Sequence, residues 1–207
     1  GMCIDVSTGG ELFMAMESGI DPDKIYFHGN NKSDSELDYA LQNGVGCIIV
    51  DNMAEIDKLD KKCSTLGKKQ DIMLRITPGI KASTHKYIQT GATRSKFGFT
   101  LVTGEAMEAV RKVKALGSLN LISLHSHIGS QIFNIESYAR LIEVLSSFIS
   151  EIDNRLGISI SRMNLGGGLG IKYTPEDKPA SISEFSDLVE NTLDECNKKY
   201  NIDIERL

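Results

Sequence analysis

A basic surplus is missing from this sequence. Its 207 residues carry 23 Lys and Arg against 28 Asp and Glu, a formal charge of −5. Nucleic-acid binding depends on cationic side chains that neutralise phosphates, so no nucleic-acid partner is expected. Also lacking is any apolar run near the roughly 18 residues of a membrane span, and no membrane contact is expected. No charged segment followed by an apolar one opens the chain, which predicts no secretory signal within it. Cys3, Cys47, Cys63 and Cys196 form no CxxC pair, and three of them sit in or beside apolar-periodic runs. Buried free thiols suit a reducing, cytoplasmic setting better than a disulfide scaffold does.

What remains is an ordinary globular composition, 41% hydrophobic and 25% charged. Short apolar or β-branched runs alternate with helical patterns. The runs are "CIDVS", "KIYFHG", "CIIVD", "IMLRITP", "LISLHSHI" and "RMNLGGG". Several helical segments end at a glycine (Gly19, Gly44, Gly67, Gly117 and Gly157), the residue favoured just past a helix C-terminus. Ser33 followed by Glu36 reads as a capping box. Strand–helix alternation repeated six times implies parallel strands joined by crossover helices.

An open doubly wound sheet and a (β/α)8 barrel both satisfy that order. Polar residues decide for the barrel. Nearly every run carries one at its C-terminal end (Asp5, His28, Asp51, Arg75, His125, His127, Asn164), whereas an open sheet would concentrate them at one switch point. The predicted fold is therefore an α/β, TIM-type barrel domain spanning 1–207. It is incomplete, with about six of the eight βα units that closure needs.

Candidate chemistry lies in five stretches. His125 and His127 alternate along a run and so face the same way, as an HxH zinc pair would. The alternative is one packed and one hydrogen-bonded histidine. Asp5 and Glu11 flank a strand-to-helix turn, which a routine acidic helix start explains equally. Arg75 stands inside an apolar run and needs an anionic partner. "TGATRSKFGF" is a polar loop ending in an aromatic turn. "NLGGGLG" fits neither the GxGxxG dinucleotide fingerprint nor a Walker loop. Three consecutive glycines after a late strand do suit a phosphate approached by bare main chain.

Taken together, "DVSTGGEL", "HGNNKS", "TPGIKASTHKYIQTGATRSKFG", "LHSHIGSQI" and "NLGGGLGIKY" resemble, in order and spacing, the fold-type III pyridoxal-phosphate decarboxylases. Within them the wording is most similar to the diaminopimelate branch. Ornithine, arginine and carboxynorspermidine decarboxylases are the alternatives inside the superfamily, and a metal-dependent hydrolase using His125 and His127 is the alternative outside it.

The resemblance implies pyridoxal 5'-phosphate as cofactor and no metal. It implies decarboxylation of meso-diaminopimelate to L-lysine, and a cytoplasmic homodimer. His127 would stack on the cofactor ring, while Ser130, Gly166, Gly167 and Gly168 would hold the phosphate. Asp5, Glu11 and Arg75 would support the site, and Lys96 would support either the site or a subunit interface. The Schiff-base lysine would lie upstream of residue 1. The acid facing the ring nitrogen and a β-domain would follow residue 207. This stretch alone is accordingly expected to be inactive.

Overall fold

The computed structural model describes residues 2–80 and 97–205. These residues divide into two compact units. The described residues of the first are 2–75, 97–99 and 105–123, and those of the second are 76–80, 100–104 and 124–205.

In the first unit, strands β1 (Ile4–Val6), β2 (Ile25–Phe27), β3 (Cys47–Val50) and β4 (Gln70–Thr77) lie side by side and parallel in that order. Strand β6 (Leu119–His125) follows next to β4, and a two-residue β5 (Phe99–Thr100) pairs with β4 off the main path. Helices α1 (Gly9–Glu17), α2 (Asp34–Gln42), α3 (Met53–Leu66) and α4 (Glu105–Ala115) follow β1, β2, β3 and β5 along the chain. All four residues of β3 are buried, as a parallel strand covered on both faces requires. Successive side chains take opposite faces: Cys47 and Ile49 join Met73 in one cluster that Tyr26 and Ile122 flank, leaving Ile48 and Val50 to the other face.

Local chemistry sets the helix boundaries. The Ser33–Glu36 capping box is present, and the same Glu36 carboxylate also accepts the Gly9 N–H at 2.7 Å, tying the start of α1 to the start of α2. Asn52 caps α3 by accepting the Glu55 N–H at 3.0 Å. Gly19, Gly44, Gly67 and Gly157 all take left-handed backbone angles, but Gly117 does not. There the chain leaves α4 through a tighter turn, with Leu116 N–H bonded to Val113 C=O, and no left-handed residue is needed.

In the second unit, β7 (Arg162–Asn164) lies beside the end of β6, where Ser126 N–H donates to Asn164 C=O at 2.9 Å. Helix α5 (Glu136–Leu156) buries a stripe that includes Tyr138, Leu141, Leu145, Phe148 and Ile152. It packs against α6 (Ile182–Tyr200), with the Tyr138 and Phe185 rings edge to face at 4.9 Å. A capping box of Ser181 and Glu184 opens α6. The six strand–helix units expected from the sequence are all present. Strand β5 is additional, and it falls where the sequence reads as a polar loop with an aromatic turn. Cys47, Cys63 and Cys196 are buried and free, and Cys3 is exposed. No described helix is long and apolar enough to cross a membrane.

Candidate functional site

Two clusters form at the C-terminal ends of strands, one in each unit. In the second unit the loop after β6 meets the glycine loop after β7. Asn164 Oδ1 accepts the Gly166 N–H at 2.8 Å, which turns the chain sharply as it leaves the strand. Gly166 then adopts φ +69°, and a Cβ there would stand 2.8 Å from the Ser126 carbonyl oxygen. Gly168 adopts φ +102°, and a Cβ on it would overlap the Gly129 carbonyl oxygen. Beyond it the two loops pair: Ile132 N–H donates to Gly168 C=O and Gly170 N–H to Ile132 C=O, both at 2.9 Å. Gln131, itself at φ 54°, bonds Ile171 through both ends of its amide.

Two of the three consecutive glycines therefore have a reason internal to the fold. The middle one has none. Gly167 is exposed, lies outside the left-handed region, and a Cβ on it would meet nothing within 4 Å among the described residues. Its carbonyl is held by the buried Tyr138 hydroxyl at 3.2 Å, which fixes the peptide plane. Under the loop, the Ser126 hydroxyl is buried and has no hydrogen-bond partner among the described residues. Ser130 and His127 are exposed beside it.

The paired-histidine geometry is not what the alternation suggested. Strand β6 ends at His125, so His127 falls beyond the ladder, where alternation no longer governs direction. His125 is 2% exposed and His127 is on the surface. Among the described residues, no group of three His, Cys, Asp or Glu side chains could hold a metal ion.

The first unit holds a buried network of charge. Lys32, 5% exposed, places its ammonium on Glu55 Oε1 at 2.5 Å and on the carbonyls of Gly29 and Ile49 at 2.8 and 2.7 Å. The other Glu55 oxygen accepts the Asp51 N–H at 3.0 Å. Asp51 in turn accepts Arg75 Nη1 at 3.0 Å and the Gly98 N–H at 3.2 Å. The Arg75 guanidinium lies over the Phe97 ring at 4.5 Å. Burial pushes the Lys32 ammonium down and the Glu55 carboxyl up, and their mutual attraction opposes both shifts.

Arg75 thus has an anionic partner, as its position in β4 requires, and that partner is the Asp51 carboxylate. Asp5 is exposed at the middle of β1, and partial desolvation raises its carboxyl above the usual range. Glu11 turns back over the start of α1, where its carboxylate accepts the Ser7 N–H at 2.7 Å. Lys96 and the rest of 81–96 lie outside the described residues. Lys32 and Glu55 are not among the site residues the sequence singles out, although a lysine following "HGNN" at a strand end and a glutamate three residues after "VDN" are there to pair.

Residues 1–206 match the family model for the pyridoxal-dependent decarboxylases, pyridoxal binding domain. The chain belongs to that family. A diaminopimelate decarboxylase of Bacillus subtilis (strain 168) is 40% identical over 207 residues, covering 100% of this chain and 47% of the relative. A crystal structure of diaminopimelate decarboxylase from M. jannaschi superimposes with TM-score 0.89 at 30% identity, over 99% of this chain and 46% of that one. The Helicobacter pylori enzyme, solved in complex with L-lysine, gives 0.85 at 29% identity over 98% and 49%. The pyridoxal-binding domain here therefore spans about half the length of the relatives it matches, and its α/β fold is that of their barrel domain.

Proposed function

We propose that residues 1–207 form the cofactor-binding barrel domain of a pyridoxal-phosphate-dependent carboxy-lyase. The full-length enzyme removes one carboxylate of meso-diaminopimelate as CO2 and leaves L-lysine. The observation that carries this reading is Gly167: a bare, exposed main-chain segment, held in orientation from behind, that the protein's own packing does not require.

Such a segment fits a phosphate ester, because main-chain N–H groups bind anions well when no side chain keeps them at a distance. The Gly166 N–H is already committed to Asn164, so Gly166 shapes the loop and the phosphate contacts fall to the N–H groups of Gly167 and Gly168. Ser130 adds a hydroxyl, and the buried Ser126 hydroxyl stands in reserve on the same loop. His127 offers an imidazole face to the planar ring. Arg75 supplies a guanidinium among the polar groups. Asp5 and Glu11 serve the neighbourhood of the Schiff-base lysine, and desolvation raises the Asp5 carboxyl above its usual range.

When bound, the cofactor supplies a conjugated cationic ring that takes up the electron pair released as the carboxylate departs. The task of this domain is to hold that ring still, so that the bond to be broken is chosen by orientation. The names of the relatives and the lysine-bound neighbour favour diaminopimelate as substrate. A cytoplasmic homodimer belongs to the same reading.

The test is CO2 release by the full-length protein from meso-diaminopimelate, ornithine, arginine and carboxynorspermidine in parallel. Activity confined to diaminopimelate, lost on stripping pyridoxal phosphate and restored on adding it back, is the expected result. Preference for another of the four substrates would replace the substrate assignment, and activity abolished by a chelator would overturn the cofactor reading.

A further inference from the structure

We infer that Lys32, Glu55 and Asp51 are positioning residues that hold Arg75 in place for the cofactor. The inference rests on the proposed function, in which Arg75 belongs to the polar surroundings of the ring.

The argument follows the hydrogen bonds outward from the core. Lys32 directs its ammonium to three acceptors, the carbonyls of Gly29 and Ile49 and the Glu55 carboxylate, and its side chain is 1% exposed. Three donors meeting three acceptors leave that end of the network no alternative arrangement. Glu55 is anchored by Lys32 through one oxygen, and through the other it grips the Asp51 main chain directly after β3. The Asp51 carboxylate is therefore presented in one orientation, with one oxygen on Arg75 and the other on the Gly98 N–H.

Gly98 at φ +69° could carry no side chain there, since a Cβ would lie 2.6 Å from the Arg75 carbonyl oxygen. Phe97 then closes over the guanidinium. Each contact further limits where the guanidinium can go. The network holds two positive and two negative side chains, so it is neutral as a whole and leaves no buried charge uncompensated. A buried lysine fastened at three points is a heavier device than stability calls for, since such pairs are often neutral to stability when replaced whole.

The experiment measures pyridoxal-phosphate affinity by absorbance titration of the full-length protein, apart from any turnover, in a cycle of Glu55→Gln and Arg75→Ala. Glutamine keeps the shape of Glu55. With Lys32 charged, its amide oxygen turns to the ammonium and its NH2 faces the Asp51 N–H, so the grip on Asp51 is lost. Loss of a charge-assisted hydrogen bond of this kind should weaken binding about tenfold in Glu55→Gln. In the Arg75→Ala background, Glu55→Gln should cost nothing further, because the residue through which it acts is gone.

The double variant Lys32→Met/Glu55→Gln guards against simple misfolding. It leaves no buried charge without a partner, since Asp51 keeps Arg75, frees the amide oxygen for the Asp51 N–H, and should bind the cofactor within about threefold of wild type. Additive losses in the cycle, or a double variant as impaired as Glu55→Gln, would overturn the inference while leaving Arg75 at the cofactor. An Arg75→Ala protein that binds pyridoxal phosphate normally would remove the premise, and with it that part of the functional reading.

Discussion

Placing a single methyl group on Gly167 or on Gly168 separates what the fold needs from what the ligand needs. At Gly168 the backbone sits at φ +102°, a conformation that costs an L-residue about 1–3 kcal/mol. The new Cβ would overlap the Gly129 carbonyl oxygen, so one loop must retreat. Retreat strains the two main-chain bonds that pair Ile132 with Gly168 and Gly170, each worth about 1 kcal/mol. Gly168→Ala should therefore lose roughly 2–4 kcal/mol of local stability and loosen the whole loop. Gly167→Ala meets no atom of the described residues and keeps an ordinary backbone angle. Its stability should change by about 0.5 kcal/mol or less, with a slight gain favoured by the lower entropy of the unfolded chain.

The assay pairs thermal unfolding with a pyridoxal-phosphate titration on the full-length protein. Gly168→Ala should lower both the melting temperature and the affinity. Gly167→Ala should leave the melting temperature alone and still weaken binding by about tenfold, roughly one good hydrogen bond to an anion. Wild-type affinity in Gly167→Ala would refute the reasoning, because the middle glycine would then owe its place to neither the fold nor the phosphate.

Glu36 gives a pH prediction. The N–H and hydroxyl of Ser33 and the N–H of Gly9 hold its carboxyl below its ordinary value of 4.5, so its contribution is complete above that pH and fades as pH falls through the lower folded value. Glu36→Gln should cost about 1 kcal/mol at neutral pH, and in urea melts the gap should shrink as the pH drops below the usual carboxylate range; a gap constant down to pH 3 would sink the assignment. Gly46→Ala would drive a Cβ into the Asp23 carbonyl and displace the bond from Gly46 N–H to Pro22 C=O. A loss above about 2 kcal/mol in the same melts is expected, and an unchanged midpoint would show that the turn moves freely.

The fold was legible because its rules are local. Period, caps and glycine stops gave six strand–helix units in the right order, and the Ser33–Glu36 box was visible in four letters. Gly117 marks the end of α4 as the other glycines mark theirs, although it takes no left-handed turn, because a glycine after a helix permits one without requiring it. His125 and His127 misled because alternation holds only while the strand lasts, and β6 stops at the first of them.

The harder failure is Lys32 and Glu55. They are 23 positions apart in sequence, and each looks like a solvated helix-start residue. Nothing local marks them as buried. What buries them is that two parallel strands deliver both C-terminal ends to the same place, and parallel pairing is a long-range fact. Arg75 carried the better clue. A guanidinium within an apolar strand must be answered by an anion, and Asp51 ends the neighbouring strand. Asp51 in turn needs its own support, since a buried carboxylate is costly unless its orientation and charge are both met. Pursuing each buried charge to its partner, and each partner to the next, leads from Arg75 to Lys32 in three steps. That route to a network is open wherever a charged residue interrupts a parallel strand.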